Sequence, residues 1–184
     1  MMILKTFVVL LRGINVGGKN AIKMKRLQES FEGLGLKKVR TYVQSGNVIF
    51  MAPKISREVL SQTIREKILA DFKAAVSVIM ISLEELNDAI KNNPFLLEMG
   101  IDASKLHITF LSDNPKKDAI RELEAKSTKP DKFRYIEKRI YLYCPKGYGR
   151  TKLSNNAIEK MLSVTATTRN WKTVNEIYRI AVTI

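Results

Sequence analysis

Between residues 4 and 81 the hydrophobic period changes in the order strand, helix, strand, strand, helix, strand, and few folds accept that order. Residues 7–11 form a continuous apolar run ended by Arg12-Gly13, as expected of a central strand buried on both faces. From Ile22 the spacing becomes helical, with Met24, Leu27, Phe31 and Leu34 on one stripe and Gly33 and Gly35 as the stop. Val39, Thr41 and Val43 then alternate with Arg40, Tyr42 and Gln44. Ser45-Gly46 makes a turn, and residues 47–51 form the second arm of a hairpin. Beyond Pro53, Ser56 can cap a helix whose buried face is Val59, Leu60, Ile64, Ile68 and Phe72, and residues 76–81 return as strand.

This order predicts a ferredoxin-like arrangement. Strands one and two run parallel, because a crossover joins them, and strand three lies between them, antiparallel to both. The loop after strand one and the turn between strands two and three therefore leave the sheet at the same end. Residues 13–20 and 44–47 are expected neighbours.

The second half repeats the pattern. Ser82-Leu83-Glu84-Glu85 has the form of a capping box, opening a helix through Leu86 and Ile90 that Asn92-Asn93-Pro94 terminates. Leu106, Ile108 and Phe110 alternate with His107 and Thr109, and Asn114-Pro115 starts a helix carrying Ile120 and Leu123. Residues 133–136 and 139–144 flank Glu137-Lys138 as a hairpin, followed by a helix with Ile158, Met161 and Leu162. A last helix places Trp171, Val174, Ile177, Tyr178 and Ala181 on one stripe. The expected class is α+β: two ferredoxin-like subdomains of β-α-β-β-α-β type, the second atypical with an added C-terminal helix. They divide as 1–82, a helical linker over 83–103, and 104–184.

Thirty-two Lys and Arg against 18 Asp and Glu give a net charge of +14, which attracts polyanions by counterion release or steers small anions. The single cysteine, Cys144, excludes an internal disulfide framework and fits a reducing compartment, so a cytoplasmic location is expected. Its place at the end of an alternating strand predicts burial. Lys5-Thr6 interrupts the first apolar stretch and no small-x-small cleavage pattern follows, so that stretch reads as strand and not as a signal. No apolar run approaches the roughly 18 residues of a membrane span, and no membrane partner is expected.

Chemistry concentrates in loops. Gly13-Ile14-Asn15-Val16-Gly17-Gly18-Lys19-Asn20 follows Arg12 and meets the G-x-x-x-x-G-K part of a phosphate-binding loop. Glycines turn consecutive N–H groups into one concavity, and Arg12 and Lys19 add charge. Asn20 stands where Ser or Thr would bind magnesium, and the predicted sheet is not the parallel one of nucleoside triphosphatases, so a looser anion cradle is the expectation. Gln44, Ser45 and Asn47 could orient a ligand beside it; the plain alternative is an ordinary hairpin turn. Lys146-Gly147-Tyr148-Gly149-Arg150-Thr151-Lys152 combines flexible glycines, an aromatic face for stacking on a base and cations for phosphate. The plain alternative is a solvated basic loop. Thr167-Thr168-Arg169-Asn170 opens the last helix, where Arg169 and Asn170 could bind an anion or simply cap. His107, alone of its kind, lies among apolar neighbours and reads as structural, and one His with one Cys makes no metal site. Tyr135, Tyr141 and Tyr143 resemble a stacking platform but lack the RNA-recognition consensus, so packing is the better reading.

Four segments, residues 10–20, 40–48, 147–153 and 166–173, together resemble the bacterial domain-of-unknown-function family 1697, and the resemblance spans nearly the whole chain. Thr151 and Thr168 stand where that pattern leads one to expect Ser and Ala. The resemblance implies a two-part α+β protein built on ferredoxin-like subdomains and brings no established activity, catalytic residue or cofactor.

The leading expectation is a binding protein whose basic loops converge on a phosphate-bearing ligand, nucleic acid or nucleotide. Arg12, Lys19, Arg150, Lys152 and Arg169 would contact phosphate, Gly13, Gly17 and Gly18 would allow close backbone approach, and Asn15, Asn20, Gln44, Ser45, Asn47, Tyr148 and Asn170 would complete the site. Alternatives are an enzyme acting on a small anionic metabolite, with the same residues as an electrostatic clamp, and a protein-interaction module.

Overall fold

The computed structural model describes residues 3–16, 20–126 and 129–184. The first sheet is centred on β1 (Leu4–Arg12), which pairs antiparallel with β3 (Asn47–Pro53) on one side and β4 (Ser77–Ser82) on the other. β2 (Lys37–Tyr42) pairs antiparallel with β3 at the edge, giving the order β2-β3-β1-β4. β1 and β2 are thus parallel with β3 between them.

The apolar run of β1 is continuous because alternate residues are buried on opposite faces. Phe7, Val9 and Leu11 join a core with Leu27 and Phe31 of α1 (Met24–Glu32) and Leu60, Ile64 and Ile68 of α2 (Arg57–Phe72), while Val8 and Leu10 are also buried. The Phe50 ring lies 6.2 Å from Phe7 and 5.8 Å from Phe31, tilted against both. Ser56 caps α2 by accepting from the Val59 N–H. Val59 departs from its expected place in the buried face. It is 56% exposed, because Leu60, Ile64 and Ile68 set a stripe of spacing four that leaves Val59 a turn of about 100° away.

The capping box at the start of α3 (Leu83–Lys91) forms in both directions: the Ser82 N–H donates to Glu85 Oε2 at 2.7 Å and the Glu85 N–H donates to Ser82 Oγ at 3.2 Å. The second sheet contains β5 (Leu106–Leu111), β6 (Lys132–Ile136), β7 (Arg139–Tyr143) and β8 (Ala166–Asn170) in the order β6-β7-β5-β8. α4 (Lys117–Lys126) and α5 (Asn155–Leu162) intervene in sequence, and α6 (Trp171–Ala181) follows β8. Leu111, Ile140, Leu142, Cys144, Leu123, Ile158 and Leu162 build its core.

Strand β8 replaces the start of helix expected at residues 167–170. It pairs with β5 from Leu111↔Ala166 to His107↔Asn170. Threonines have high strand propensity, and the Thr168 hydroxyl bonds that of Thr109 across the sheet at 2.7 Å, so a sequence without apolar alternation can still fill a buried edge position. Both sheets therefore carry the full β-α-β-β-α-β order, and α6 is the added helix.

The chain forms two compact units: residues up to Asn87 together with Glu176–Ile184, and Asp88–Asn175. α3 and α6 each run across a boundary between them.

Candidate anion-binding loops

The loop after β1 and the hairpin turn after β2 meet, as the topology requires. Asn15 makes the junction. Its Oδ1 accepts from the Ile22 N–H at 2.7 Å, and its Nδ2 donates to the Ile22 carbonyl at 3.0 Å and to the Gln44 carbonyl at 2.8 Å. Asn20 Nδ2 donates to the Gly13 carbonyl at 3.0 Å, and the Leu11 N–H donates to the Gly46 carbonyl at 2.9 Å. Asn15 and Asn20 both hold positive φ, 52° and 49°, a conformation their short polar side chains stabilise locally. Gly46 must be glycine: its φ is 74°, and a Cβ there would stand 2.6 Å from Ile14 Cδ1 and 2.8 Å from Leu11 Cβ.

Asn47 is fully buried and donates to the Tyr42 carbonyl at 2.9 Å and to Ser45 Oγ at 3.0 Å. The amides of Asn15, Asn20 and Asn47, expected to face a ligand, donate to backbone carbonyls and the Ser45 hydroxyl of the same loop and turn. They shape the loop and turn. Gln44 and Ser45 lie on the exposed side of that turn, and Arg12 is half-buried at the end of β1. Gly17, Gly18 and Lys19 lie outside the described residues. α1 begins only at Met24, with Lys23 at its cap position and no side-chain cap bond. A phosphate-binding loop of the triphosphatase type needs its lysine at the helix start, and residues 20–23 separate Lys19 from Met24 in this sequence.

In the second unit Gly147, at φ 90°, turns the chain from β7 into the short 3-10 segment Tyr148–Arg150. Tyr148 is half-buried. Its ring stacks on His107, with centroids 5.0 Å apart and 27° between planes, and its hydroxyl donates to Thr168 Oγ1 at 3.0 Å. Thr168 Oγ1 in turn donates to Asn155 Oδ1 at 2.7 Å. With the Thr168 proton committed there, Thr109 Oγ1, 2.7 Å away, must be the donor of their shared bond. His107 Nδ1 sits 3.1 Å from the Lys105 carbonyl, and burial of the ring holds its pKa below the usual value.

Lys146, Arg150 and Lys152 are exposed in this loop. Arg169 is not. It is only 7% exposed, and its Nη1 donates to Thr167 Oγ1 at 2.8 Å and the Thr168 carbonyl at 2.9 Å, because strand β8 turns it into the protein. Asn170 is exposed, and its Oδ1 accepts from the Thr173 N–H at 2.8 Å, an N-cap for α6. The role of Thr109, Thr168 and Asn155 was not foreseen from sequence. The only signal was the polar alternation of His107 and Thr109 in an otherwise apolar strand.

Cys144 is fully buried, and burial pushes its thiol up to about 11, too high for a nucleophile at neutral pH. Tyr141 is fully buried, Tyr143 packs on Phe95 at 6.4 Å, and Tyr135 donates to Asn114 Oδ1 at 3.3 Å, so the hairpin tyrosines are packing elements. Among the described residues no group of three His, Cys, Asp or Glu side chains is placed to hold a metal, and no helix is long and apolar enough to cross a membrane.

Residues 4–141 match the family described as Protein of unknown function (DUF1697). The chain belongs to that family. Its fold is similar to the solved structure of the conserved bacterial protein SP0830 from Streptococcus pneumoniae, with a TM-score of 0.74 and 24% identity over 97% of this chain and 99% of the other. No curated protein matches. The loop after β1 and the hairpin turn fall within the DUF1697 match, whereas residues 147–153 and 166–173 lie beyond it.

Proposed function

We propose that this DUF1697 protein binds a phosphate-bearing ligand, nucleic acid or nucleotide, through the basic loop at residues 146–152, with the loop after β1 as a separate candidate in the other unit. One observation carries the reading: Tyr148 is fixed by its hydroxyl and by stacking on His107, in the same loop as exposed Lys146, Arg150 and Lys152. A pre-ordered aromatic ring lowers the entropy lost when a base packs against it, and exposed cations attract phosphate at long range. The net charge of +14 supports the same class of ligand.

Fluorescence anisotropy with a single-stranded oligonucleotide of about 15 nucleotides tests it. Affinity should fall steeply with salt, and the triple variant Lys146→Gln/Arg150→Gln/Lys152→Gln should bind more weakly with a log–log salt slope shallower by about two. Saturable binding of a nucleoside triphosphate with little salt dependence would instead favour the nucleotide. Failure to bind either probe at low salt, or a triple variant that binds as wild type, overturns the proposal.

A further inference from the structure

The segment after α3 exposes apolar side chains that the proposed phosphate-binding loop does not use. Leu97 is 93% and Met99 99% exposed, and Leu96 beside them is 47% exposed. Isolated exposed hydrophobes are ordinary, but here consecutive apolar tips stand on a fixed base. Phe95 is fully buried against Tyr143, and the Arg134 guanidinium lies 5.7 Å over the Phe95 ring. Asn93 caps the turn by accepting from the Phe95 N–H at 3.1 Å. Glu98, between the tips, is drawn back to Lys132 at 2.8 Å and Arg134 at 3.9 Å.

We infer that residues 96–99 are an anchor for a protein partner whose surface offers an apolar socket bordered by carboxylates. The base presents two cations to the single Glu98, and the whole chain carries +14, so an acidic rim is the complementary one. A second copy fits poorly, because it would bring two chains of net charge +14 together. A lipid surface is the competing occupant, and the vesicle arm of the test decides for or against it. A tip that is already ordered lowers the conformational cost of docking, which suits a small anchor.

The test places a photo-crosslinking amino acid at position 97 of the full chain in its native cell, with position 59, exposed on α2, as control. A protein captured at 97 and not at 59 is then purified and titrated by calorimetry against the wild type. The expected result is salt-weakened binding that drops at least tenfold in Leu97→Asp/Met99→Asp and at least threefold in the milder Leu97→Ala/Met99→Ala. The inference falls if both variants bind as wild type, if positions 97 and 59 give the same products, or if position 97 crosslinks a second copy. It falls equally if the wild type, but not the Asp variant, sediments with phosphatidylglycerol vesicles. None of these results bears on oligonucleotide binding, which residues 146–152 decide separately.

Discussion

Asn15 engages both ends of its side-chain amide inside the protein, and it does so at positive φ. Asn15→Ala removes three hydrogen bonds and leaves a residue poorly suited to that backbone, so it should destabilise by about 2–4 kcal/mol, measured by denaturant unfolding. Asn15→Asp keeps the acceptor for the Ile22 N–H and should fall between the two. His107 gives a second measurement at this scale. Burial favours its neutral form, so the folded pKa lies below the ordinary 6.5 and the unfolded chain takes up the proton first. The stability that neutral His107 contributes is complete above about pH 6.5 and is lost as pH falls through the folded value. Because the chain has one histidine, the ring resonance in a proton NMR titration is unambiguous, and its midpoint should lie below 6.5. A midpoint at or above that value would contradict the burial account. The sequence marked Asn15 and His107 as notable but not how they are used, since hydrogen-bond partners such as Ile22 and Gln44 become neighbours only through the fold.

At the scale of elements, most strands and helices were legible because their burial is apolar and periodic. The residue 7–11 run, the Ser82/Glu85 capping box and the Glu137-Lys138 hairpin each follow from local chemistry. β8 was illegible for the opposite reason. Thr167 and Arg169 are buried polar residues, and Thr168 joins Thr109, Tyr148 and Asn155, so what holds the strand is cross-strand hydroxyl bonding and not an apolar pattern. Thr168→Val tests this. The shape is kept, but Asn155 loses a donor and Tyr148 and Thr109 lose their acceptor, and the expected cost is about 2–3 kcal/mol in urea unfolding. Thr168→Ser should be nearer wild type. If Val is tolerated as well as Ser, the network contributes no stability.

At the scale of the molecule, the first unit is built from two separated pieces of chain, residues up to Asn87 and Glu176–Ile184. Ile177 and Ala181 in the second piece are each 1% exposed. A fragment of residues 1–87 should therefore melt lower than the same fragment joined by a flexible linker to 176–184, as followed by circular dichroism. Equal melting curves would show that the C-terminal piece adds nothing. The restart of a β-α-β-β-α order in the second half was readable in the sequence, but its last strand and this interleaving were not. Local periodicity in α6 gives its buried stripe without saying which sheet the stripe belongs to.

That discontinuity sets an order of events at the ribosome. The second unit has all its residues available by Asn175, whereas the first, although its strands emerge earlier, is closed only by Glu176–Ile184, which are translated after the whole of the second unit. Synthesis from the N-terminus usually lets the leading domain mature first; here the trailing domain is the one that can finish while its predecessor waits.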